Sequence, residues 1–324
     1  MSKIRTDLAI ETKEILEGKD KRSINGVESF EENIGDVKVT KVNITNKQGE
    51  KAMGKPEGSY LTIEIKEILN YDNENQKMIS QIISDKLKEY INIESFKTIL
   101  VVGLGNWNIT PDALGPKVVE KLFVTRHLKE LMPDSIDERV RPVCAIAPGV
   151  LGITGMETSE VIRGIAEKIK PDMIICIDAL SSRRMDRVNT TFQIGNTGIS
   201  PGSGVGNRRM ELSRKTLNIP VLAIGVPTVV DAATMANDTI DLVLDEMVAK
   251  SKSGSEFYNM LKSIDKNEKE NLIKELLNPY LGDLVVTPKD VDLAIETLSK
   301  VLANGINLAL QPFMEQEDID VYLN

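Results

Sequence analysis

Two aspartates, Asp112 and Asp178, stand where carboxylate chemistry could be done. The apolar run Thr98 to Leu104 ends in Gly103-Leu104-Gly105-Asn106, and the loop beyond it delivers Asp112 to the start of a helix. Asp178 interrupts a second apolar run, Met173 to Ile177, where an unpaired buried charge would be costly. Both runs read as strands buried on both faces. The glycines allow a tight turn at a strand's carboxyl end, the edge where open α/β sheets place their ligands. No basic residue or third glycine accompanies Asp112, which argues for carboxylate chemistry over a phosphate cradle. Gly103-x-Gly105 is an incomplete dinucleotide fingerprint, so a nucleotide oxidoreductase is disfavoured. Two nearby carboxylates can divide acid and base roles, one keeping a proton while its partner activates water. Alternatively, they could hold a divalent cation.

Other polar groups fall in loops that a parallel sheet would gather at the same edge. Asn106 ends the first strand, Glu157 follows Gly149 to Gly155, Ser203 lies in the glycine-rich stretch Gly198 to Asn207, and Asp231 follows the strand around Val221. Glycine-rich loops allow close backbone approach, which suits an extended peptide or an oxyanion. Blander roles compete with these. Asp112 and Asp231 each precede a helix and could simply cap it. Gly202-Ser203-Gly204 suggests a serine nucleophile, but no His or Lys signature accompanies it. The single histidine, His127, reads as a charge near a helix C-terminus or a half-buried polar contact. Cys144 and Cys176 read as small core residues.

These groups need a scaffold, and the pattern of the chain supplies one. Residues 1 to about 35 are polar and show no clear strand. Val37 to Thr45 and Tyr60 to Lys66 alternate as half-exposed antiparallel edge strands, with Lys55-Pro56-Glu57-Gly58 as the turn between them. Gln76 to Ile93 has helical spacing. Strands then alternate with helices: strands Thr98 to Leu104, Val140 to Ala147, Met173 to Ala179 and Pro220 to Gly225, and helices Ala113 to His127, Thr158 to Lys170, Arg208 to Lys215 and Ala232 to Ala249. Thr190 to Ile194 could add a strand. The rhythm predicts an α/β fold, a mostly parallel twisted sheet with helices on both faces. A β-rich addition precedes it. From about 251 the chain becomes helical: Ser255 to Ile264, Lys266 to Leu277 and Pro288 to Gln311, with a short strand at Leu284 to Thr287.

The 324 residues carry a net charge of -9, which gives nucleic-acid binding little support. No run reaches the roughly 18 apolar residues that span a bilayer, and no signal peptide is evident. A multi-histidine or cysteine-rich zinc site cannot be assembled from one His and two Cys. The expectation is therefore an intracellular protein with no membrane or nucleic-acid partner and no cofactor.

Several long motifs closely resemble the spore germination proteases of endospore-forming Firmicutes. They are Val102 to Pro116, Val124 to Leu128, Ala147 to Gly155, Ile199 to Asn207 and Ala223 to Ala232, within a likeness running from Arg5 to Gly305. The resemblance implies an aspartic-type endopeptidase that degrades small acid-soluble, DNA-protecting spore proteins during germination, in the spore core. It implies a fold like that of hydrogenase maturation proteases. Its catalytic pair would match Asp112 and Asp178, with no metal. It implies a homotetramer made as a zymogen that clips itself at Asp7-Leu8. Residues 1–7 would then be a propeptide and 8–324 one peptidase domain. Two rival functions remain, a metal-assisted peptidase using the same acids and a peptide-binding module that does not cleave.

Overall fold

The computed structural model describes residues 6–18, 22–66, 68–91, 98–202, 209–263, 284–311 and 313–315, together with Glu268, Leu272 and Glu275. The centre is built from chain that is apolar on both sides. Strands β4 (Ile99–Gly103), β5 (Val143–Ile146), β6 (Met173–Ser182) and β8 (Val221–Asp231) pair in parallel in the order β8-β6-β4-β5. Successive residues of each point to opposite faces. Ile99, Val101, Ile175, Ile177, Leu222 and Ile224 enter one core, and Leu100, Val102, Ile174, Cys176 and Val221 enter another.

The first core is covered by α3 (Asn73–Lys88), α4 (Leu114–Glu120) and the last described helix, α11 (Val291–Leu310). On the opposite face, Ile162 and Ala166 of α7 (Thr158–Ile169) pack on Leu100, Val102 and Ile174. The sheet has helices on both faces, as the alternation predicts.

Beyond β8 the sheet turns antiparallel through β7 (Thr191–Gly195), β3 (Gly58–Glu64), β2 (Val37–Ile44) and β1 (Val27–Ile34). A short ninth strand, β9 (Val285–Val286), pairs with the far end of β8. The N-terminal third departs from the sequence-based expectation. It contains the helix α1 (Ala9–Glu17) and the strand β1, neither expected, and a further helix, α2 (Lys47–Met53), precedes β3. The turn at Lys55 therefore joins a helix to a strand. Because β1 takes the sheet edge, β2 and β3 are interior. β3 is buried on both sides, with Tyr60 facing Ala9 of α1 and Met53 of α2, and Leu61 and Ile63 in the larger core. β1 was hidden because it is exposed nearly throughout, and charged residues of that kind keep an edge from pairing further.

Two expected helices are shorter. The one after Asp112 stops at Glu120, because Asn307 of α11 accepts from Phe123 N–H at 2.9 Å and donates to the Lys121 carbonyl at 3.2 Å. The chain resumes as α5 (Arg126–Leu131), so His127 lies in the first turn of a short helix, exposed, and serves neither predicted role. Of Arg208 to Lys215, only Arg214 onward is helical among the described residues, as α8 (Arg214–Leu217), because Leu212 is held extended against Ile199. The tiny α6 (Leu151–Thr154) follows β5, and α9 (Ala232–Lys250) and α10 (Glu256–Lys262) follow β8. The helix expected over Lys266 to Leu277 falls almost wholly outside the described residues, as does Ser203.

One face of the sheet is thus covered at both ends, by α1 and α2 over β2 and β3 and by α7 over β4 and β6. Between these covers lies the site.

Candidate active site

The gap is a cleft of about 1350 Å³ whose lining includes Asp112, Asp178, Glu157 and Gly225. Its floor is set by strand register. Asp178 of β6 pairs with Gly225 of β8, and Gly225 pairs with Gln193 of β7. Directly paired residues share a face, so Asp178 and Gln193 rise on the same side with a residue lacking a side chain between them. A Cβ on Gly225 would come within 2.4 Å of the Leu180 side chain, which would have to move aside for any larger residue there.

Asp112 reaches the cleft from the loop after β4. Its carboxylate accepts the Asn106 N–H at 2.7 Å, and its carbonyl accepts the same N–H at 3.1 Å. The turn works because Gly105 has φ +116° and a Cβ there would sit 2.0 Å from the Asp112 carbonyl oxygen. Asn106 therefore supports the site through its backbone, while its side chain accepts from Asn108 N–H at 3.0 Å.

Asp178 is 6% exposed, and among the described residues its carboxylate accepts one hydrogen bond, from Ala179 N–H at 3.0 Å. Burial pushes its pKa well above the ordinary 3.8, and the charges of Asp112 and Asp7 push it further. Burial also raises Asp112, against the lowering effect of the Asn106 N–H. Both acids are raised, Asp178 the more strongly, and unequal environments of this kind let two carboxyls divide acid and base roles.

The remaining predicted residues separate. Glu157 lines the cleft at the start of α7, 3.6 Å from the Arg209 guanidinium. Asp231 does not join the lining. It caps α9, accepting from Thr234 N–H at 2.7 Å and from the Thr234 hydroxyl at 2.6 Å. Among the described residues, no group of three His, Cys, Asp or Glu side chains forms a metal-binding cluster.

The cleft also holds its own chain. Asp7 N–H donates to the Ser181 carbonyl at 2.9 Å, and Ser181 N–H donates back to the Asp7 carboxylate at 2.9 Å. The Asp7 carbonyl accepts from Lys55 Nζ at 2.8 Å and from Gln193 Nε2 at 3.1 Å. Leu8 is fully buried against Ile10 and Leu180, and its N–H donates to the Thr6 hydroxyl at 3.0 Å. Sequence reading missed Lys55, Gln193 and Ser181. Gln193 looks like the outward position of an alternating strand, and Lys55 looks like part of a surface turn. Only the Asp7-Leu8 motif marked this region.

The chain has known relatives over its whole length. A family profile described as germination protease matches residues 5–258 and 244–323. The germination protease of Clostridium tetani is 62% identical over 99% of both chains. That of Clostridium acetobutylicum is 58% identical over the whole of both. That of Bacillus subtilis is 44% identical over 98% of this chain and 96% of its own. Among solved structures, a [NiFe] hydrogenase maturation protease, HycI, from Thermococcus kodakarensis is 18% identical, covering 60% of this chain and 99% of its own with a TM-score of 0.28.

Proposed function

Since this chain belongs to the germination protease family and is an endopeptidase, we propose that its substrates are the small acid-soluble proteins that protect spore DNA. Asp112 and Asp178 are the catalytic pair of this reading. Asp112 takes a proton from water as the water oxygen attacks the scissile carbonyl carbon. Protonated Asp178 gives its proton to the departing nitrogen as the C–N bond breaks. No metal enters this scheme, since two aspartates without His or Cys form a poor zinc site.

The observation that carries the reading is the place of Asp7-Leu8. This peptide lies in the cleft that Asp112 and Asp178 line, with its carbonyl, its N–H and the Asp7 carboxylate all held. It fits a zymogen in which residues 1–7 are a propeptide cut by the enzyme itself and 8–324 form the peptidase domain. Such a short segment need not reach over the site to block it, because Thr6 and Asp7 already form part of the cleft wall. The homotetramer of this reading has support in α9, where Leu242 is 71% exposed and Val243 and Met247 also face outward. By the same reading the enzyme works in the spore core. Among the described residues, no helix is long and apolar enough to cross a membrane.

Purified protein incubated with a small acid-soluble spore protein, with mass spectrometry of both, tests this. The expected result is cleavage of the substrate, appearance of chains that begin at Leu8, and loss of both in Asp178→Asn. Exhaustive chelation should leave the rate unchanged. A loss of activity restored by one ion would favour the metal-assisted alternative.

A further inference from the structure

We propose that Lys55 and Gln193 form the oxyanion clamp of this enzyme, two donors that stabilise the negative charge on the scissile carbonyl oxygen while the acids act on the bond. The inference rests on Asp7-Leu8 being the bond that is cut.

Three observations converge on it. The Asp7 carbonyl oxygen accepts two hydrogen bonds at once, from the Lys55 ammonium at 2.8 Å and the Gln193 amide at 3.1 Å. Both are side-chain donors, from elements far apart in sequence. Gln193 is locked in orientation, because its Oε1 accepts the Ala9 N–H at 2.7 Å while its Nε2 faces Asp7. Its strand position is also informative. Gln193 and Asp178 stand in register two strands apart, roughly 10 Å between backbones, across the side-chain-free Gly225. A peptide held by Gln193 therefore lies over the same face of the sheet as the carboxyl of Asp178.

Lys55 adds a full charge. Burial pulls its pKa below the usual lysine value, opposed by the carboxylates of Asp7 and Glu11. An ammonium shielded from water acts on a developing negative charge more strongly than one in solvent. Neither donor needs to exchange a proton. As the water oxygen bonds to the carbonyl carbon, the C=O electron pair moves onto the oxygen and is held by the two donors. As the intermediate collapses, that pair re-forms C=O, the C–N bond breaks, and the Leu8 nitrogen takes the proton from Asp178. After the prosegment leaves, the same two donors face the carbonyl of an incoming spore protein.

The test uses the full-length chain and follows the first-order appearance of chains beginning at Leu8 in wild type, Asp178→Asn, Lys55→Met and Gln193→Glu. Lys55→Met keeps the length of the stem. Gln193→Glu keeps the acceptor for Ala9 N–H and removes the donor to Asp7. Thermal melting establishes that each variant is folded, and if one is not, the other decides. Each folded variant should slow self-cleavage by about 10²-fold or more, the usual loss on removing one oxyanion donor. A loss smaller than about thirtyfold overturns the clamp, since oxyanion donors cost more than that. Failure of the underlying reading looks different. Wild type would then leave Asp7-Leu8 intact, or Asp178→Asn would cut it as fast as wild type.

Discussion

Two groups of carboxylates lie close together in this molecule, and they are neutralised in opposite ways. Glu11, Glu14 and Glu64 gather around Arg187, whose guanidinium stands 3.7, 2.7 and 3.0 Å from them. Burial works against the charge of Arg187, but the hydrogen bonds to Glu14 and the charges of all three acids outweigh it and raise its pKa. Glu11 is 1% exposed and also accepts from the Arg183 and Arg184 N–H groups and the Thr6 hydroxyl. Asp112 and Asp178, a few residues away in space, share no such cation among the described residues, although Asp7 beside them lies near the Lys55 ammonium, and the pKa values of Asp112 and Asp178 rise. A buried acid with a matched cation holds structure together. A buried acid facing other acids is held at a cost, and a cost of that kind suits a catalytic group.

The largest expected effect concerns the matched group. Arg187→Met would take from buried Glu11 the guanidinium it shares with Glu14 and Glu64, and breaking a buried pair costs about 3–5 kcal/mol. Urea unfolding measures it. A variant as stable as wild type would mean that Arg187 does not anchor α1. The second effect belongs to the unmatched group. Asp112→Asn or Asp178→Asn should each reduce the peptidase rate at least about 10²-fold, roughly 2.7 kcal/mol of barrier, with no loss of stability. A folded Asp178→Asn enzyme that cuts a small spore protein near the wild-type rate would dissolve the contrast.

Asp231 sharpens the comparison further, because it ends β8, the strand paired with the β6 that carries Asp178. Asp231 has a conventional partner in the Thr234 N–H, so Asp231→Ala should cost about 1 kcal/mol of stability and little activity. If it abolished cleavage instead, the division between capping and catalytic acids would fail.

The smallest effect is one of pH. A carboxyl whose folded pKa is raised binds its proton more tightly in the native state, so stability falls as pH climbs from the ordinary 3.8 through the raised value. Asp178→Asn removes this loss. Its melting temperature should match wild type at low pH and exceed it by about 2–4 °C once the acid is ionised. A difference that does not change with pH would mean that the Asp178 charge is not buried. His127→Gln, at an exposed position, should change neither rate nor stability.

The central strands were legible because burial on both faces leaves an unbroken apolar run, as in Ile99 to Val102 and Ile174 to Ile177. For the same reason Asp178 was conspicuous. The Asp112 loop was legible from its glycines and acid, whose turn the backbone of Asn106 completes. The N-terminal third was not legible. Its strand β1 is polar because it is exposed, and α1 is anchored through Glu11 and Glu14 to an arginine more than 170 residues away, a pairing that local periodicity cannot reveal. Lys55 and Gln193 were invisible for a related reason. A lysine in a turn and a glutamine alternating with Phe192 and Ile194 have ordinary surface explanations, and only the path of Asp7 distinguishes them.

The crowding of acids around Asp7 also bears on the fate of the two fragments once the bond is cut. Hydrolysis at Asp7-Leu8 would create a new α-carboxylate beside the Asp7 side chain, close to Asp112 and Asp178. It would also create an α-ammonium on Leu8, and the departing fragment would take with it the Thr6 hydroxyl that links that nitrogen to Glu11. The departing peptide would gain negative charge in an acidic cleft, while the end that stays would gain a positive charge beside a buried acid. The acids would repel the new carboxylate while Lys55 and Gln193 still hold it, so release of the short fragment would be set by the balance of the two, and the charge on Leu8 would fasten the end that stays. Maturation built this way would run in one direction without any outside source of energy.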